Sequence, residues 1–297
     1  MSVDVVCASA PFLDITFSGF DRMPALGEER MADAVEYTPG GIANVALGLT
    51  RLGLDAAIWA PVGDDISGGV LTGLLAGEGI DWVGPPGSAT AVSVVMPLNG
   101  DRGFLTACPE FEIDTDALAA LEPRAVVIDL PVVDRAPAGA DVHAVVGDVD
   151  ARRLAGRLPA ALADARTLLA NEPEALTLTG LDDVEAAARA LAAHGPTAVV
   201  TLGAGGAVCA GEHGLVRAPA PDVTVVDTNG AGDLFTAAWV WADLAGVPPE
   251  ERVQLAVAYA SLSVRVATTR DGALTLDAFR REAPLLDAII PPKGARR

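Results

Sequence analysis

The seven residues from 227 to 233, DTNGAGD, are the part of the chain best suited to carry out chemistry. An apolar run at 223–226 precedes them and an apolar helical pattern follows, so the sequence predicts a strand, a glycine turn and a helix N-terminus. Such a turn presents unpaired backbone N–H groups and the positive end of a helix dipole, which together bind anions such as phosphate. Asp233 adds a carboxylate to this anion site, where its expected use is to take a proton from a nucleophile.

The same seven residues are also typical of a plain strand-to-helix connection, because Asp and Gly are favoured in such turns. A second glycine motif near the start of the chain favours the functional interpretation. Gly40 and Gly41 precede a predicted helix, and Asn44 follows them within the sequence PGGIAN. The glycines allow a ligand to approach the backbone, and the Asn44 amide can both donate and accept a hydrogen bond.

Polar and glycine-rich residues also follow two strands predicted later in the chain. Asn171 and Glu174 belong to the sequence NEPE, directly after an apolar run, and the sequence TLGAGG at 201–206 forms a glycine turn between two predicted strands. Open α/β sheets bind ligands beyond the carboxyl ends of their strands. We therefore expect these motifs to lie at the ligand-binding edge of one sheet.

Apolar, β-branched runs alternate with helical patterns along most of the chain. The continuous hydrophobicity of the central runs predicts an α/β fold with a mostly parallel sheet flanked by helices. The predicted strands are 3–8, 56–62, 92–97, 125–129, 142–146, 167–170, 198–201, 207–210 and 223–226. The predicted helices are 43–52, 68–78, 115–121, 150–163, 181–193, 231–245, 249–266 and 276–282. Segments 12–37 and 90–107, the latter with a turn at Asn99-Gly100-Asp101, are expected to form a small β lid on a single domain spanning 1–297.

The composition excludes several classes of function. A net charge of −20 and a pI near 4.3 argue against binding to nucleic acid or to an anionic membrane surface. Lys293 is the only lysine, which excludes a P-loop and a lysine-dependent phosphate clamp. Three distant cysteines, no basic leader and no long apolar segment predict a cytoplasmic protein. The three histidines lack metal-ligand spacing, and His143 is expected at the surface or at a strand end.

With these motifs in this order, the sequence resembles the ribokinase-like, or PfkB, family of carbohydrate kinases. The resemblance covers nearly the whole chain, and the DTNGAGD sequence is its most specific part. It implies a ribokinase-like fold and transfer of the γ-phosphoryl group of ATP, with Mg²⁺, to a hydroxyl of a small sugar. Ribose, fructose and ketodeoxygluconate-like acceptors are all consistent with it.

The resemblance also implies roles for individual residues. Asp233 is expected to be the general base, and the backbone amides of Gly230, Ala231 and Gly232 are expected to stabilise the transferring phosphoryl group. The residues expected to bind the acceptor are Asp14, Gly40, Gly41 and Asn44. The residues expected to bind the nucleotide and its phosphates are Asn171, Thr201, Gly203, Gly206 and Ser261. The expected metal sites are Glu174 for Mg²⁺ and Asp227 for K⁺.

Other functions are compatible with parts of this pattern. A dinucleotide oxidoreductase is disfavoured because Phe235 occupies the third glycine position of its fingerprint. A nucleoside kinase of the same family and a non-catalytic sugar- or nucleotide-binding module remain alternatives. The aromatic content of 4% leaves few rings to stack on a base, which favours a sugar acceptor. The open edges and one apolar face expected of the lid predict a homodimer joined through the lids.

Overall fold

A computed structural model describes residues 3–98 and 101–290 of the chain. The strands are β1 Val5–Ala8, β2 Pro11–Ser18, β3 Ala34–Gly41, β4 Ala56–Ile58, β5 Val62–Gly63, β6 Asp81–Trp82, β7 Pro86–Gly87, β8 Val92–Leu98, β9 Asp101–Ala107, β10 Ala125–Asp129, β11 Asp141–Val145, β12 Thr167–Asn171, β13 Thr197–Thr201, β14 Ala207–Gly211 and β15 Gly214–Ala218. The helices are α1 Ile42–Arg51, α2 Ile66–Gly77, α3 Thr115–Ala119, α4 Asp148–Leu154, α5 Glu172–Thr179, α6 Val184–Ala192, α7 Ala231–Leu244, α8 Pro249–Ser263, α9 Thr269–Gly272, α10 Leu276–Glu282 and α11 Leu285–Ile289.

The central sheet has the strand order β15-β14-β13-β12-β11-β10-β1-β4-β6 among the described residues. The strands from β13 to β6 pair in parallel, and β14 and β15 add an antiparallel edge. Both faces are covered, since Val5 and Cys7 belong to one buried cluster whereas Val6 and Ala8 belong to another. The prediction of a mostly parallel sheet flanked by helices is confirmed, and burial on both faces explains its continuous apolar runs.

A second sheet, which we call the small sheet, has the strand order β3-β2-β8-β9. Its strands come from the two segments that the sequence sets apart, 12–37 and 90–107, although residues 99 and 100 of the expected turn lie outside the described residues. One of its faces contains Asp14, Ser93 and Val95, all buried. Phe17 and Val35 lie directly opposite each other on the other face and are 40% and 47% exposed.

Two predicted elements differ from the structure, and some observed elements were not predicted. The run 223–226 forms no strand, because it leaves the sheet after β15 and lines a cavity instead. The predicted helix 150–163 is wrong beyond α4, since Gly156 adopts a positive φ of 69° and Pro159 cannot continue a helix. Helix α5 and strand β15 were not predicted. The first turn of α5 is the polar sequence NEPE, which lacks an apolar period.

A buried ionic cluster lies at the amino edge of the sheet. Asp243, near the end of α7, accepts hydrogen bonds from Arg166, and Arg252 lies 2.5 Å from its carboxylate. The Arg252 guanidinium also packs over the Trp239 ring at 4.8 Å from the centroid. His143 is fully buried in the middle of β11, with its Nε2 3.5 Å from Asp243, so its predicted place at the surface or at a strand end is wrong. Its strand β11 is central, and burial lowers the pKa of His143 to about 4.

No helix within residues 3–98 and 101–290 combines the length and hydrophobicity needed to cross a bilayer. The basic tail with Lys293 lies outside the described residues.

Candidate active site

Polar residues gather where the parallel strands of the central sheet end. Ser9 follows β1, Asp129 and Asn171 end β10 and β12, and Thr201 ends β13. These ends lie side by side because the strands are neighbours in register. Two cavities open at this carboxyl edge, which is where open α/β sheets place ligands.

The first cavity, of about 510 Å³, is mostly apolar. Val223 and Val225 form one wall, and Val257 and Val264 belong to the same lining. The β-branched run that resembles a strand in the sequence is therefore part of a ligand cavity. The predicted residues that line this cavity are Thr201, Gly203, Gly206, Ala231, Gly232 and Ser261.

The second cavity, of about 370 Å³, is lined by three carboxylates, those of Asp129, Glu174 and Asp233. The predicted residues that line it are Gly41, Asn171, Glu174, Thr201, Gly232 and Asp233. Gly232 and Phe235, in the first turns of α7, line both cavities. A group held in the first cavity can therefore meet a group held in the second at the amino end of α7.

Gly230 is the N-cap of α7 and adopts a left-handed conformation with φ 68°. A Cβ at this position would overlap the side chain of Thr269, whose hydroxyl donates to the Asn229 carbonyl at 3.0 Å. No side chain caps the helix, and the N–H group of its first residue, Ala231, donates to the Thr228 carbonyl at 3.3 Å. A Cβ at Gly232 would have no neighbour within 4 Å and would lie in the open space where the cavities meet.

The carboxylate of Asp233 lies among residues from the start of the chain. The Asn44 side chain, two residues into α1 and buried, donates from Nδ2 to Asp233 Oδ2 at 2.9 Å. Asp14 projects from β2, and burial raises the pKa of its carboxyl to about 7, with a further contribution from the charge of Asp233. A Cβ on Gly40 would overlap the Asp14 carboxylate, so a side chain at position 40 would displace it. Asp14, Gly40 and Asn44 therefore surround Asp233 without themselves lining either cavity.

Asn171 and Glu174 form a capping box at the start of α5. The Asn171 side chain accepts from the Glu174 N–H at 2.9 Å, and Glu174 Oε2 accepts from the Asn171 N–H at 2.7 Å. Both residues also line the second cavity, where burial raises the pKa of Glu174 to about 7. Mg²⁺ in phosphate sites is commonly held by one or two carboxylates, waters and the phosphates. The Glu174 carboxylate fits this mode, and no cluster of three or more potential metal ligands occurs in the described part of the chain.

Asp227 lies in the turn before α7 and lines neither cavity. Its Oδ1 accepts from the Asn229 N–H at 2.8 Å, which is an Asx turn. The turn contacts α9, because the Thr269 hydroxyl donates to the Asn229 carbonyl at 3.0 Å. The K⁺ site itself stays a prediction.

Comparison with known proteins decides which family these features belong to. The pfkB family carbohydrate kinase model matches residues 134–276. A fructokinase from Klebsiella pneumoniae is 32% identical over 278 residues, which cover 80% of this chain and 88% of the relative. The chain belongs to the pfkB family of carbohydrate kinases.

Solved structures agree on the fold of this kinase. Arabidopsis thaliana ribokinase, complexed with ribose and ATP, has a TM-score of 0.80 and 24% identity, and the match covers 95% of this chain and 99% of that one. An E. coli structure that contains ATP and Mg²⁺ has a TM-score of 0.75 and 20% identity, covering 96% and 99%. The predicted family and ribokinase-like fold are confirmed, and the dinucleotide oxidoreductase alternative is excluded.

The sequence interpretation missed three polar residues of the kinase's second cavity, Ser9, Asp129 and Thr236. The Ser9 hydroxyl donates to Asp129 Oδ2 at 2.6 Å, and burial raises the pKa of Asp129 to about 6. Asp129 follows a buried apolar strand just as Asn171 does. Applying the same rule to every strand end would have found it.

The two glycines of the α7 turn should respond differently to a methyl group. We expect Gly232→Ala to fold normally but to lower kcat by at least about tenfold, since the methyl group enters the space where the cavities meet. Gly230→Ala should instead lose about 1 kcal/mol or more of stability, since its φ is positive and Thr269 blocks the Cβ. Urea unfolding and kinase assays of both variants test this. An unstable but fully active Gly232→Ala protein would contradict it.

Proposed function

We propose that this kinase transfers the γ-phosphoryl group of ATP to a hydroxyl of a small sugar in a Mg²⁺-dependent reaction. The observation that carries the proposal is the meeting of two cavities at Gly232, beside the Asp233 carboxylate. The larger cavity, whose lining includes Val223, Val225 and Phe235, suits a nucleotide base and ribose. The smaller cavity, with its carboxylates, suits an acceptor rich in hydroxyl groups. The relatives solved with ATP, and with ATP and Mg²⁺, support ATP as the donor and Mg²⁺ as the metal.

The phosphates of ATP would lie across the amino end of α7. The residues proposed to hold the nucleotide are Thr201, Gly203, Gly206 and Ser261, with Asn171 near the phosphates. The backbone amides of Gly230, Ala231 and Gly232 would stabilise the transferring group together with the helix dipole. This arrangement supplies the positioning and charge stabilisation that phosphoryl transfer needs, without a lysine.

Asp233 would accept the proton of the attacking hydroxyl. The Asn44 amide, which donates to Oδ2, holds one carboxylate oxygen in place. We propose that this contact orients the other carboxylate oxygen toward the acceptor hydroxyl, so that Asp233 can act as its general base. Asp14, supported by Gly40, and the backbone at Gly41 would bind further hydroxyl groups of the sugar.

Mg²⁺ bound to ATP would neutralise charge on the phosphates, and Glu174 is the residue proposed to hold its water shell. Asp227, with the loop that contains Thr269, is proposed to bind K⁺ close to the α7 turn.

We place the reaction in the cytoplasm, because ATP is its proposed donor and Cys7, Cys108 and Cys209 are all free thiols.

The small sheet is proposed to act as a lid over the acceptor. Asp14 belongs to this sheet whereas Asp233 belongs to α7, so the site would be complete only when the two units are close. We expect ATP turnover without acceptor to be very slow, and a phosphorylated acceptor to slow hydrogen exchange in β2 and β3. A rapid acceptor-independent ATPase, or unchanged exchange in these strands with a good acceptor, would contradict the lid mechanism.

The outer face of the small sheet is proposed to join two copies of the chain. Phe17, Val35, Tyr37 and Leu105 share this face by register and are all exposed, between 40% and 70%. We expect a homodimer by light scattering at micromolar concentration, and a monomer when Phe17 and Leu105 are both changed to Lys. Val149→Lys, on exposed α4, is the control and should stay dimeric. A monomeric wild-type protein would refute the proposal.

The function itself is tested with a panel of sugars and nucleosides, incubated with ATP and Mg²⁺ and read by ADP release. We expect ADP release with at least one small sugar and none when Mg²⁺ is removed. A preference for a nucleoside would show that the acceptor is a nucleoside and not a sugar. Binding of ATP and sugar without any ADP release would point to the non-catalytic module.

A further inference from the structure

The peptide group between Asn229 and Gly230, directly before α7, is held from one side by α9. Its carbonyl oxygen accepts a hydrogen bond from the Thr269 hydroxyl at 3.0 Å. The Thr269 side chain also covers the Gly230 Cα, where an added Cβ would overlap it. Thr269 itself is buried, with 8% of its surface exposed. The proposed function uses the N–H of this same peptide group but gives the Thr269 side chain no part in the transfer.

The contact to the carbonyl oxygen fixes the direction of the N–H group. In a trans peptide the C=O and N–H bonds lie in one plane and point to opposite sides of the chain. Because the Asn229 carbonyl points towards α9, the Gly230 N–H points away from it. Thr228 and Ala231, the residues on either side, both line the first cavity. The Gly230 N–H has no backbone acceptor in the described part of the chain, so it can donate to a ligand.

The residue before Thr269 adopts a conformation that the backbone disfavours. Thr268 has φ 66° and ψ 141°, and a positive φ is rare for a β-branched residue. Such strain persists only where surrounding contacts hold it, and it is concentrated at functional sites. The Asp271 N–H donates to the Thr268 hydroxyl at 3.2 Å, and the Gly272 N–H donates to the Thr268 carbonyl at 3.1 Å. The strained residue thus directs the chain so that Thr269 meets the α7 turn.

A buried carboxylate anchors α9 on its other side. Glu78, at the end of α2, has a side chain that is 7% exposed and accepts from Arg270 of α9 and from Arg51 of α1, each at 2.5 Å. Burial by itself raises the pKa of Glu78, but the hydrogen bonds from the two arginines bring the pKa below its usual value. Arg270 directly follows Thr269 in the chain. The ion pair therefore fixes α9 while Thr269 contacts the turn.

We propose that Thr269 is a positioning residue for phosphoryl transfer. Its hydroxyl fixes the peptide between Asn229 and Gly230 so that the Gly230 N–H faces the transferring phosphoryl group. The ion pair of Glu78 with Arg270 holds α9, and with it Thr269, against the turn. This inference rests on the proposed function and adds residues that act through the backbone. Donors that are already oriented need no reorganisation when charge develops on the phosphoryl group, whereas a peptide that can rotate loses this advantage.

Two substitutions of Thr269 separate its hydroxyl from its shape. Thr269→Val removes the hydrogen bond and keeps the branched shape over Gly230, whereas Thr269→Ser keeps the hydroxyl and removes the methyl group. With the best acceptor, at one fixed K⁺ concentration, Thr269→Val should lower kcat by at least about tenfold while each KM changes by less than about threefold. Thr269→Ser should keep kcat within about threefold of the wild type. Loss of stability in urea with an unchanged kcat per folded molecule would show a purely structural role.

A binding measurement reports on the N–H groups without turnover. Fluoroaluminate with ADP and Mg²⁺ imitates the transferring phosphoryl group, and calorimetry gives the Kd of ADP alone and of the mimic with the acceptor present. We expect Thr269→Val to bind ADP as the wild type does and to bind the mimic at least about tenfold more weakly. Equal affinity of the two proteins for the mimic would overturn the proposal.

The ion pair offers variants that leave the turn itself intact. Arg270→Ala should lower kcat by at least about threefold because it releases α9 from Glu78, and Arg270→Lys, which keeps the charge, should recover part of the loss. Arg51→Ala is the matched control, since it removes the other partner of the same carboxylate but lies on α1, and its kcat should stay within about twofold. If Thr269→Val does not fold, the comparison of Arg270→Ala with Arg51→Ala decides the question, and equal kcat values would refute the proposal.

The outcomes for the two proposals are distinct. Wild-type turnover with an unchanged kcat in Thr269→Val, or an equal loss in Thr269→Val and Thr269→Ser, would overturn the positioning role while the kinase activity stands. If the wild type releases no ADP with any acceptor, yet binds the mimic more tightly than Thr269→Val does, the proposed transfer fails and the positioning role stands. If the wild type binds neither ADP nor the mimic, both proposals fail.

Discussion

Asp233→Asn should lower kcat by at least about 100-fold and change acceptor affinity little. A general base typically contributes about 10²–10⁴-fold, and Asn cannot take the proton. The Asn44 side chain donates to Oδ2 of Asp233, and an Asn at 233 can present its own carbonyl oxygen to that donor. The local structure should therefore survive. Steady-state kinetics with the best acceptor, at saturating ATP and Mg²⁺, measure the effect.

Asp14→Asn is the matched control for this prediction. Its carboxylate is buried and acts electrostatically on Asp233, yet the proposal gives it a binding role and no proton transfer. We expect its KM for the acceptor to rise more than its kcat falls. Near-normal turnover of Asp233→Asn, or a larger loss of kcat in Asp14→Asn, would remove Asp233 from the role of base.

Asp243→Ala should destabilise the protein by about 3–5 kcal/mol, which is the second large effect we expect. The substitution leaves Arg252 buried without its carboxylate partner, at a side-chain exposure of 6%. Arg166 and His143 would lose the same neighbour. Because the cluster lies at the edge of the sheet opposite the cavities, activity per folded molecule should change little. Urea unfolding gives the free energy of unfolding.

Glu282→Ala serves as the control for the ionic cluster. Glu282 pairs with Arg265 at 3.0 Å, but both side chains are about half exposed, at 50% and 47%. Exposed pairs contribute little, so we expect a loss below about 1 kcal/mol. A loss for Asp243→Ala no larger than this control would show that the buried cluster does not stabilise the fold.

Local chemistry in the sequence was enough to predict the main elements that form the site. Glycine turns such as DTNGAGD depend on backbone conformations that few other residues allow, and the structure does place Gly230 at a positive φ before α7. Continuous apolar runs likewise predicted the parallel sheet, because a strand that is buried on both faces has apolar side chains on both of them.

The parts that were not predicted depend on distant contacts. The run 223–226 satisfies a strand pattern, yet Val223 and Val225 line a cavity, which local periodicity cannot reveal. His143 is buried by α7 from almost 100 residues away along the chain. The hydrogen bond from Asn44 to Asp233 joins residues 189 positions apart, and no spacing rule connects them.

That separation has a consequence for how the kinase is made. The strands of the small sheet and Asn44 leave the ribosome first, and the turn at Gly230 and Asp233 follow only in the last quarter of the chain. At about 5–20 residues per second, Asn44 waits roughly 10–40 seconds for Asp233. Unfinished products therefore contain the residues proposed to bind the acceptor and lack the turn and the base proposed to transfer the phosphoryl group. If those roles are as proposed, we expect such products to be unable to consume ATP.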